Sequence, residues 1–180
     1  TKGIGKAIVA SLVSNNNITC LSRNKSEFSH DNYSHVKYNS LEDQLPDVEF
    51  VDCLIYCPGS INLKPITNLS IDDFRADFEI NVIGAVKCIK KYLPQLKNGV
   101  NPSILLFSTV ATKLGMPYHA SVSVAKSGID GLVKTLGAEL SPKIRINAIA
   151  PTITDTELAS KILRNEKVIE NMIERHPLKK

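Results

Sequence analysis

The strongest constraint on the fold is an alternation of short apolar runs with longer stretches of helical periodicity. The apolar runs predict strands at 18–21, 36–38, 50–57, 103–108 and 144–149. The helical stretches predict helices at 3–14, 72–96 and 119–140, with one or two surface helices in 155–175. Parallel strands need long crossover connections, which are usually helices. The pattern therefore predicts an α/β fold in three layers, α/β/α, with a doubly wound parallel sheet.

The composition is typical of one soluble globular domain, which we expect to span residues 1–180. Of these residues 43% are hydrophobic and 22% charged, and the formal net charge is +4. No apolar run reaches the ~18 residues that a membrane-spanning helix needs. The basic residues of the second half, 91–180, are scattered at helical spacing among apolar ones, and only 6% of all residues are aromatic. We therefore expect a solvated helical surface, no nucleic-acid or membrane partner, and a cytoplasmic location.

The four cysteines predict buried, reduced thiols and no metal site. Cys20, Cys53 and Cys57 lie in the predicted strands, and Cys88 lies in the long second helix. Cys53 and Cys57 are four residues apart, which in a strand is ~13 Å at 3.3 Å per residue. No pair of histidines completes a ligand set, so we expect no zinc.

Candidate ligand-binding residues follow the predicted strands. In a parallel α/β sheet, ligands bind beyond the carboxyl ends of the strands. Arg23, Gly59, Thr109 and Pro151 each come directly or closely after one of these runs. We therefore expect these four positions to lie at the binding edge of the sheet.

Four motifs in this order resemble those of the short-chain dehydrogenase/reductase family. They are Thr1-Lys2-Gly3-Ile4-Gly5 at the start of the first helix, Asn81-x-x-Gly84 in the second helix, Ser108-Thr109 followed seventeen residues after Thr109 by Lys126, and the segment 144–151 ending in Pro151 and followed by Thr156. The resemblance covers essentially the whole chain and implies a Rossmann-type domain. It also implies a further strand and glycine before Thr1, and another helix and strand after Lys180. We therefore expect that the sequence is incomplete at both ends.

The resemblance implies a nicotinamide dinucleotide as cofactor. The positions it assigns to cofactor binding are Lys2, Gly3, Ile4, Gly5, Arg23, Ser40, Gly59, Lys126, Pro151, Thr154 and Thr156. No acid follows the second strand of the family pattern, where an acid would bind the ribose of NAD. Arg23 and Lys2 instead favour the 2′-phosphate of NADP, with NAD as the alternative. Both cations are also compatible with an ordinary charged surface.

The resemblance also implies a catalytic set, in which one member is replaced. Asn81 would hold a relay water, Thr109 would polarise a carbonyl, and Lys126 would bind the ribose. The family tyrosine, four residues before the lysine, is Val122 here, which has no proton to donate. Three alternatives remain open: His119 as acid and base, Tyr118 in that role, or no proton donor at all.

Two functions of different class follow from the resemblance. The first is an NADP(H)-dependent oxidoreductase that transfers hydride between nicotinamide and a small-molecule carbonyl or alcohol. The alternative is a catalytically inactive nucleotide-binding scaffold or sensor, and an inactive fragment is a third hypothesis. The family commonly pairs subunits through its two long helices, so we expect a homodimer or homotetramer. The apolar stripes around Phe78 and Leu132 fit such an interface and equally fit a core.

Overall fold

A computed structural model of the protein describes residues 2–39, 43–160, 163 and 165–179. The chain divides into two compact units, the first of Thr1–Val36 with Ile153–Lys180 and the second of Lys37–Thr152. In chain order the elements are α1 (Gly3–Leu12), β1 (Ile18–Ser22), β2 (Tyr33–Lys37), β3 (Cys53–Ile55), α2 (Ile71–Phe78), α3 (Gly84–Lys97), β4 (Ser103–Phe107), α4 (Ala120–Leu140), β5 (Arg145–Ile149) and α5 (Glu166–Arg175). Among the described residues, no helix is both long enough and apolar enough to cross a membrane.

In the first unit, β1 and β2 form a two-stranded sheet. The Ile18 amide donates to the Asn32 carbonyl at 2.8 Å, and the Ser34 hydroxyl donates to Thr19 Oγ1 at 3.1 Å. Strand β2 begins three residues before the predicted range, because pairing with β1 extends it through polar residues that the apolar pattern did not mark. Tyr38 is buried but follows the strand.

In the second unit, three parallel strands form a sheet in the order β3-β4-β5. Leu54, Ile104 and Ile146 are in register, so their side chains point to the same face of the sheet. That face packs against α3 and α4 in the main hydrophobic core of the unit. The β3 ladder is shorter than the predicted 50–57, because only Cys53–Ile55 pair with β4.

The opposite face of this sheet is more exposed, which corrects the prediction for one cysteine. Cys53, Ser103 and Arg145 are in register on that face, and Cys53 is exposed although we expected it to be buried. The apolar run did not reveal which face each residue occupies. Cys20 and Cys88 are buried as predicted, and Cys57 is half-buried. Burial raises the pKa of the Cys88 thiol to about 11, so this thiol stays protonated near neutral pH.

The long second helix begins as predicted and contains an interruption that the sequence pattern missed. Ser70 is its N-cap: the Ser70 hydroxyl accepts from the Asp73 amide at 3.1 Å, and the Asp73 carboxylate accepts from the Ser70 amide at 3.0 Å. Between α2 and α3, residues Glu79–Ile83 form a π-helical turn. Such wider turns leave a carbonyl without its usual helical partner and are frequent at functional sites.

Tyr56, which directly follows β3, is hydrogen-bonded to this π turn. The Gly84 amide donates to the Glu79 carbonyl, five residues back, and the Tyr56 hydroxyl donates to the Ile80 carbonyl at 2.7 Å. A Cβ on Gly84 would lie 2.1 Å from Tyr56 Oη, so only glycine allows this approach. The glycine of the Asn81-x-x-Gly84 motif is therefore required by packing against Tyr56.

Replacing Tyr56 by phenylalanine removes the donor to Ile80 and leaves that carbonyl unpaired in the core. We expect Tyr56→Phe to lower the free energy of unfolding by about 1–3 kcal/mol in urea denaturation. Tyr118→Phe, at a residue with 59% exposure, is the control and changes it by less than about 0.5 kcal/mol.

A double-mutant cycle tests the close approach itself. Gly84→Ala alone is expected to be strongly destabilising, because the new methyl group collides with Tyr56 Oη. Combining it with Tyr56→Phe removes the colliding oxygen, so the double variant should lose less stability than the two single losses together. Strict additivity would contradict the contact.

Candidate active site

Asn81 lies in the π turn and is 1% exposed. Its amide nitrogen donates to the Asp77 backbone carbonyl at 2.8 Å and to Ser60 Oγ at 3.2 Å. Its amide oxygen is buried and has no hydrogen-bond partner among the described residues. A buried acceptor in this state is rare and points to a functional position.

Lys126 lies in α4, and its ammonium donates to the Phe107 carbonyl at 2.7 Å, at the carboxyl end of β4. Burial lowers the pKa of Lys126 to about 8, and the charges of Cys57 and Asp77 oppose that lowering. One N–H bond is used by Phe107, so the ammonium keeps two further donors.

Gly59 brings the backbone close to both of these groups. A Cβ on Gly59 would lie 3.2 Å from Asn81 Oδ1 and 3.8 Å from Lys126 Nζ. The acceptor of Asn81 and the donor of Lys126 therefore border the same small space beside Gly59. The structure brings together these three residues, which the sequence motifs had pointed to separately.

Thr109 follows β4 and caps a short 3-10 turn, Val110–Thr112. Its Oγ1 accepts from the Ala111 amide at 3.3 Å, which leaves the hydroxyl proton available for a ligand. Pro151 follows β5, and its carbonyl accepts from the Val110 amide at 3.2 Å. Thr109 and Pro151 thus lie together beyond the ends of neighbouring strands, as predicted.

The two candidates for a proton donor differ in their surroundings. His119 Nδ1 lies 2.7 Å from the Pro117 carbonyl, and because a carbonyl only accepts, Nδ1 carries the proton. In neutral His119 the other nitrogen, Nε2, is therefore an acceptor. Tyr118 has a φ of 68° and is 59% exposed. Val122 is 5% exposed and supplies only apolar packing at the position of the family tyrosine.

The glycine motif of the first unit opens α1 as predicted. Gly3 has a φ of +51°, and its Cα faces Thr156, whose Cγ2 would be 3.2 Å from an added Cβ. Lys2 is the N-cap of α1, and its side chain makes no capping hydrogen bond to the first backbone amides of the helix. Free amides at a helix start attract phosphate.

The remaining residues predicted to bind the cofactor differ in exposure and in their bonding partners. Arg23 is exposed directly after β1, whereas the Lys2 ammonium forms an ion pair with Glu157. The Thr156 hydroxyl donates to the Thr154 carbonyl at 3.3 Å. Ser40 lies outside the described residues.

Four residues that sequence reasoning missed support the helix segment that carries Asn81. They are Tyr56, Ser60, Asn62 and Asp77, which hold the π turn or hydrogen-bond with one another. One signal was available for Asp77: it stands four residues before Asn81 and so shares its helix face. No sequence pattern indicated the others, because they reach the helix through a loop.

A sequence model of the family described as "Enoyl-(Acyl carrier protein) reductase" matches residues 39–180, which is more than half of the chain. The chain belongs to the short-chain dehydrogenase/reductase family. The family membership that the motifs suggested is therefore confirmed, while the motifs' roles and those of the individual residues stay predictions.

Known members of the family resemble this short-chain dehydrogenase/reductase over part of their length. The peroxisomal 2,4-dienoyl-CoA reductase of Saccharomyces cerevisiae is 36% identical over 114 residues, which is 63% of this chain and 39% of the yeast protein. The probable galactose dehydrogenase of Rhizobium meliloti is 40% identical over 119 residues, which is 66% of this chain and 45% of that protein. The chain thus spans less than half the length of these two curated relatives.

Solved structures confirm the fold class. The ligand-free aldohexose dehydrogenase of Thermoplasma acidophilum superposes with a TM-score of 0.88 at 21% identity, covering 99% of this chain and 77% of that one. ElxO with NADP bound superposes with a TM-score of 0.84 at 25% identity, covering 99% and 81%. The short-chain dehydrogenase/reductase chain therefore has the predicted Rossmann-type, three-layer α/β fold.

The lowered pKa of Lys126 predicts a pH dependence of stability. The folded protein releases this proton near pH 8, whereas the unfolded chain keeps it until about its ordinary pKa of 10.5. Between these values the unfolded state binds more protons, so the contribution of Lys126 to the free energy of unfolding rises with pH.

We test this by comparing the wild type with Lys126→Met in urea unfolding from pH 6 to 10.5. Above about pH 8, the free energy of unfolding of the wild type minus that of the variant should rise, by no more than about 1.4 kcal/mol per pH unit. Lys134→Met, at an exposed lysine of the same helix, is the control for the charge change. If the difference in free energy of unfolding between the wild type and Lys126→Met did not change with pH, the pKa of Lys126 would not be lowered in the folded protein.

Proposed function

We propose that the protein is an NADP(H)-dependent oxidoreductase that interconverts a small-molecule carbonyl and an alcohol. The observation that carries the proposal is that a buried acceptor, Asn81 Oδ1, and a half-buried donor, Lys126 Nζ, both lie close to the side-chain-free Gly59. Asn81 Oδ1 can accept a hydrogen bond from a ligand hydroxyl group, and the Lys126 ammonium can donate to a hydroxyl or carbonyl oxygen. Gly59 has no side chain to block the space beside them, so the three residues fit a polar ligand with both hydroxyl and carbonyl groups.

The relatives support a nicotinamide dinucleotide as that ligand. ElxO was solved with NADP bound, and 4-hydroxyisoleucine dehydrogenase was solved with NADH. A 3-oxoacyl-[acyl-carrier-protein] reductase of Thermotoga maritima is 28% identical over 129 residues. These names support carbonyl and alcohol chemistry, and they differ too much among themselves to define one substrate.

A bound nicotinamide supplies or accepts the hydride, and the residues of this chain bind and handle protons. Lys126 is protonated below about pH 8 and donates to ligand hydroxyl groups, while Asn81 Oδ1 accepts from a hydroxyl or a water. The Thr109 hydroxyl donates to the substrate oxygen and so polarises the carbonyl. Gly3, Ile4 and Gly5 offer helix amides to phosphate, and Gly59, Pro151, Thr154 and Thr156 complete the proposed cofactor contacts.

His119 is the proposed acid and base in place of a tyrosine. With its Nδ1 proton held by Pro117, neutral Nε2 accepts the alcohol proton during oxidation. In the reverse direction the imidazolium Nε2–H bond breaks as the new O–H bond forms. Proton transfer therefore needs no group at position 122.

We also propose that the protein forms a homodimer or homotetramer through its long helices. Phe78 is 40% exposed in α2, and Val124 in α4 is exposed close to it, with both lining the same shallow apolar groove. Leu132 packs against the core instead. The exposed part of the predicted interface is thus the region of Phe78.

The role of His119 is tested by turnover of NADPH with a panel of aldehydes and ketones, followed by absorbance. We expect His119→Ala to reduce kcat at least about 10²-fold, because general acid catalysis is lost. Tyr118→Phe is the matched control and keeps nearly full activity. If Tyr118→Phe abolished turnover instead, the tyrosine would be the donor. Tight NADPH binding with no turnover in the wild type would favour the sensor.

Cofactor preference is tested at Arg23, the exposed cation after β1. A guanidinium forms paired, charge-assisted bonds to a phosphate, so Arg23→Ala should weaken NADPH binding about tenfold and leave NADH binding unchanged. Lys25→Ala, two residues further and also exposed, is the control. Equal losses for NADPH and NADH in a fluorescence titration would contradict a contact with the 2′-phosphate.

A further inference from the structure

A buried carboxylate that the proposed chemistry does not use lies one helical turn before Asn81. Asp77 is fully buried in α2, at 0% exposure. Its Oδ1 accepts from Ser60 Oγ at 2.6 Å and from Asn62 Nδ2 at 3.2 Å, and its Oδ2 has no partner in the described part of the chain. A buried carboxylate is costly unless its oxygens are hydrogen-bonded, and Asp77 has such bonds on only one of its two oxygens.

The Ser60 hydroxyl links this carboxylate to Asn81 and has a defined direction. A hydroxyl has one proton, and the short distance to Asp77 is that of a charge-assisted bond in which Ser60 donates. Ser60 Oγ must therefore be the acceptor in its contact with Asn81, 3.2 Å away. The group of Asn81 that faces Ser60 is consequently the NH₂ group.

The Asp77 backbone imposes the same direction. Its carbonyl, at 2.8 Å, also requires a donor from Asn81. The Ser60 carbonyl accepts from the same nitrogen at 3.4 Å. A flipped amide would place its oxygen against these three acceptors, and the flip would lose all three hydrogen bonds. The amide oxygen is thus turned to the opposite side, where it lies 3.2 Å from the Cβ point of Gly59.

We propose that Asp77 is a positioning residue, whose buried carboxylate acts through the Ser60 hydroxyl to fix the Asn81 amide with its oxygen facing Gly59. Asp77 also supplies a negative charge that favours the Lys126 ammonium near the same glycine. The same carboxylate thus orients the acceptor of the candidate site and favours the charged form of its donor, which the Phe107 carbonyl holds in place. The proposal rests on the proposed function only for the ligand that this pair would bind.

Asn62 provides a matched control, because it donates to the same carboxylate oxygen and makes no hydrogen bond to Asn81. Ser60→Ala and Asn62→Ala each remove one bond to Asp77, but only Ser60→Ala cuts the link to the amide. Ser60→Thr keeps the hydroxyl and should restore the link.

The first measurement is the NMR signal of the Asn81 side-chain NH₂ group in the full chain without cofactor. We expect Ser60→Ala to shift one of its two proton signals upfield, because that N–H loses the hydroxyl at 3.2 Å and keeps only the longer contact to the Ser60 carbonyl at 3.4 Å. Asn62→Ala and Ser60→Thr should leave both signals within their wild-type range. Equal shifts for Ser60→Ala and Asn62→Ala, or no shift for either, would overturn the proposal.

The second measurement tests the charge through Asp77→Asn, which keeps the size of the side chain. The titratable groups that influence Lys126 are Cys57 and Asp77. Removing the Asp77 charge should shift the ¹³Cε titration of Lys126 to lower pH, with the signal assigned by its loss in Lys126→Met. An unchanged titration would show that the carboxylate does not act on the ammonium, and would overturn that part of the proposal.

The third measurement is NADPH binding by fluorescence titration, which separates this proposal from the proposed function. Ser60→Ala should weaken binding about fivefold, the value of one ordinary hydrogen bond, while Asn62→Ala changes it less than twofold. If the wild type bound no NADPH, the proposed function would be wrong, and the NMR signals would still decide the role of Asp77. Equal weakening by both variants would show that Ser60 acts only through stability.

Discussion

The π-helical turn at Glu79–Ile83 is the constraint on which the candidate site depends. The wider turn releases the Ile80 carbonyl, and the Tyr56 hydroxyl satisfies it from the end of β3. The close approach of that hydroxyl is possible only because residue 84 is glycine. The sheet and the helix are thereby joined by a hydrogen bond at the point where Asn81 turns inward. A regular α-helix here would retain the Ile80 bond within the helix and leave Tyr56 without this acceptor.

The site is built from neighbouring polar groups that are buried or half-buried, so each depends on its neighbours. Lys126 is held by the Phe107 carbonyl, and its charge is supported by Asp77 and Cys57 against the cost of burial. Asn81 is held on its donor side by Ser60 and by the Asp77 backbone. In low-dielectric surroundings, partly satisfied networks are costly and well-oriented ones are rigid. A rigid acceptor and a rigid donor beside Gly59 are what a binding site for a polar ligand requires.

Much of this arrangement could be predicted from local sequence signals. The periods of the apolar residues located α1, α4 and all five strands, and Ser70 with Asp73 marked the start of the long helix. The short motifs pointed to Gly59, Asn81, Thr109 and Lys126. The exposure of Cys53 could not be predicted, because an apolar run does not tell which of its two alternating sets faces the core. The contacts of Asp77 with Ser60 and Asn62 could not be predicted either, because they join a helix to a loop 15 or more residues away.

The sequence by itself determined the α/β class, the family and the absence of a phenol four residues before Lys126. These follow from periodicity and from residue identity at fixed spacing, which need no knowledge of distant contacts. The tertiary structure alone decided where the polar groups point. The π turn, the direction of the Asn81 amide and the proton position on His119 all depend on partners that are distant in sequence or on the local backbone path. Hydrogen bonds are directional, so only the folded arrangement specifies which atom donates and which accepts.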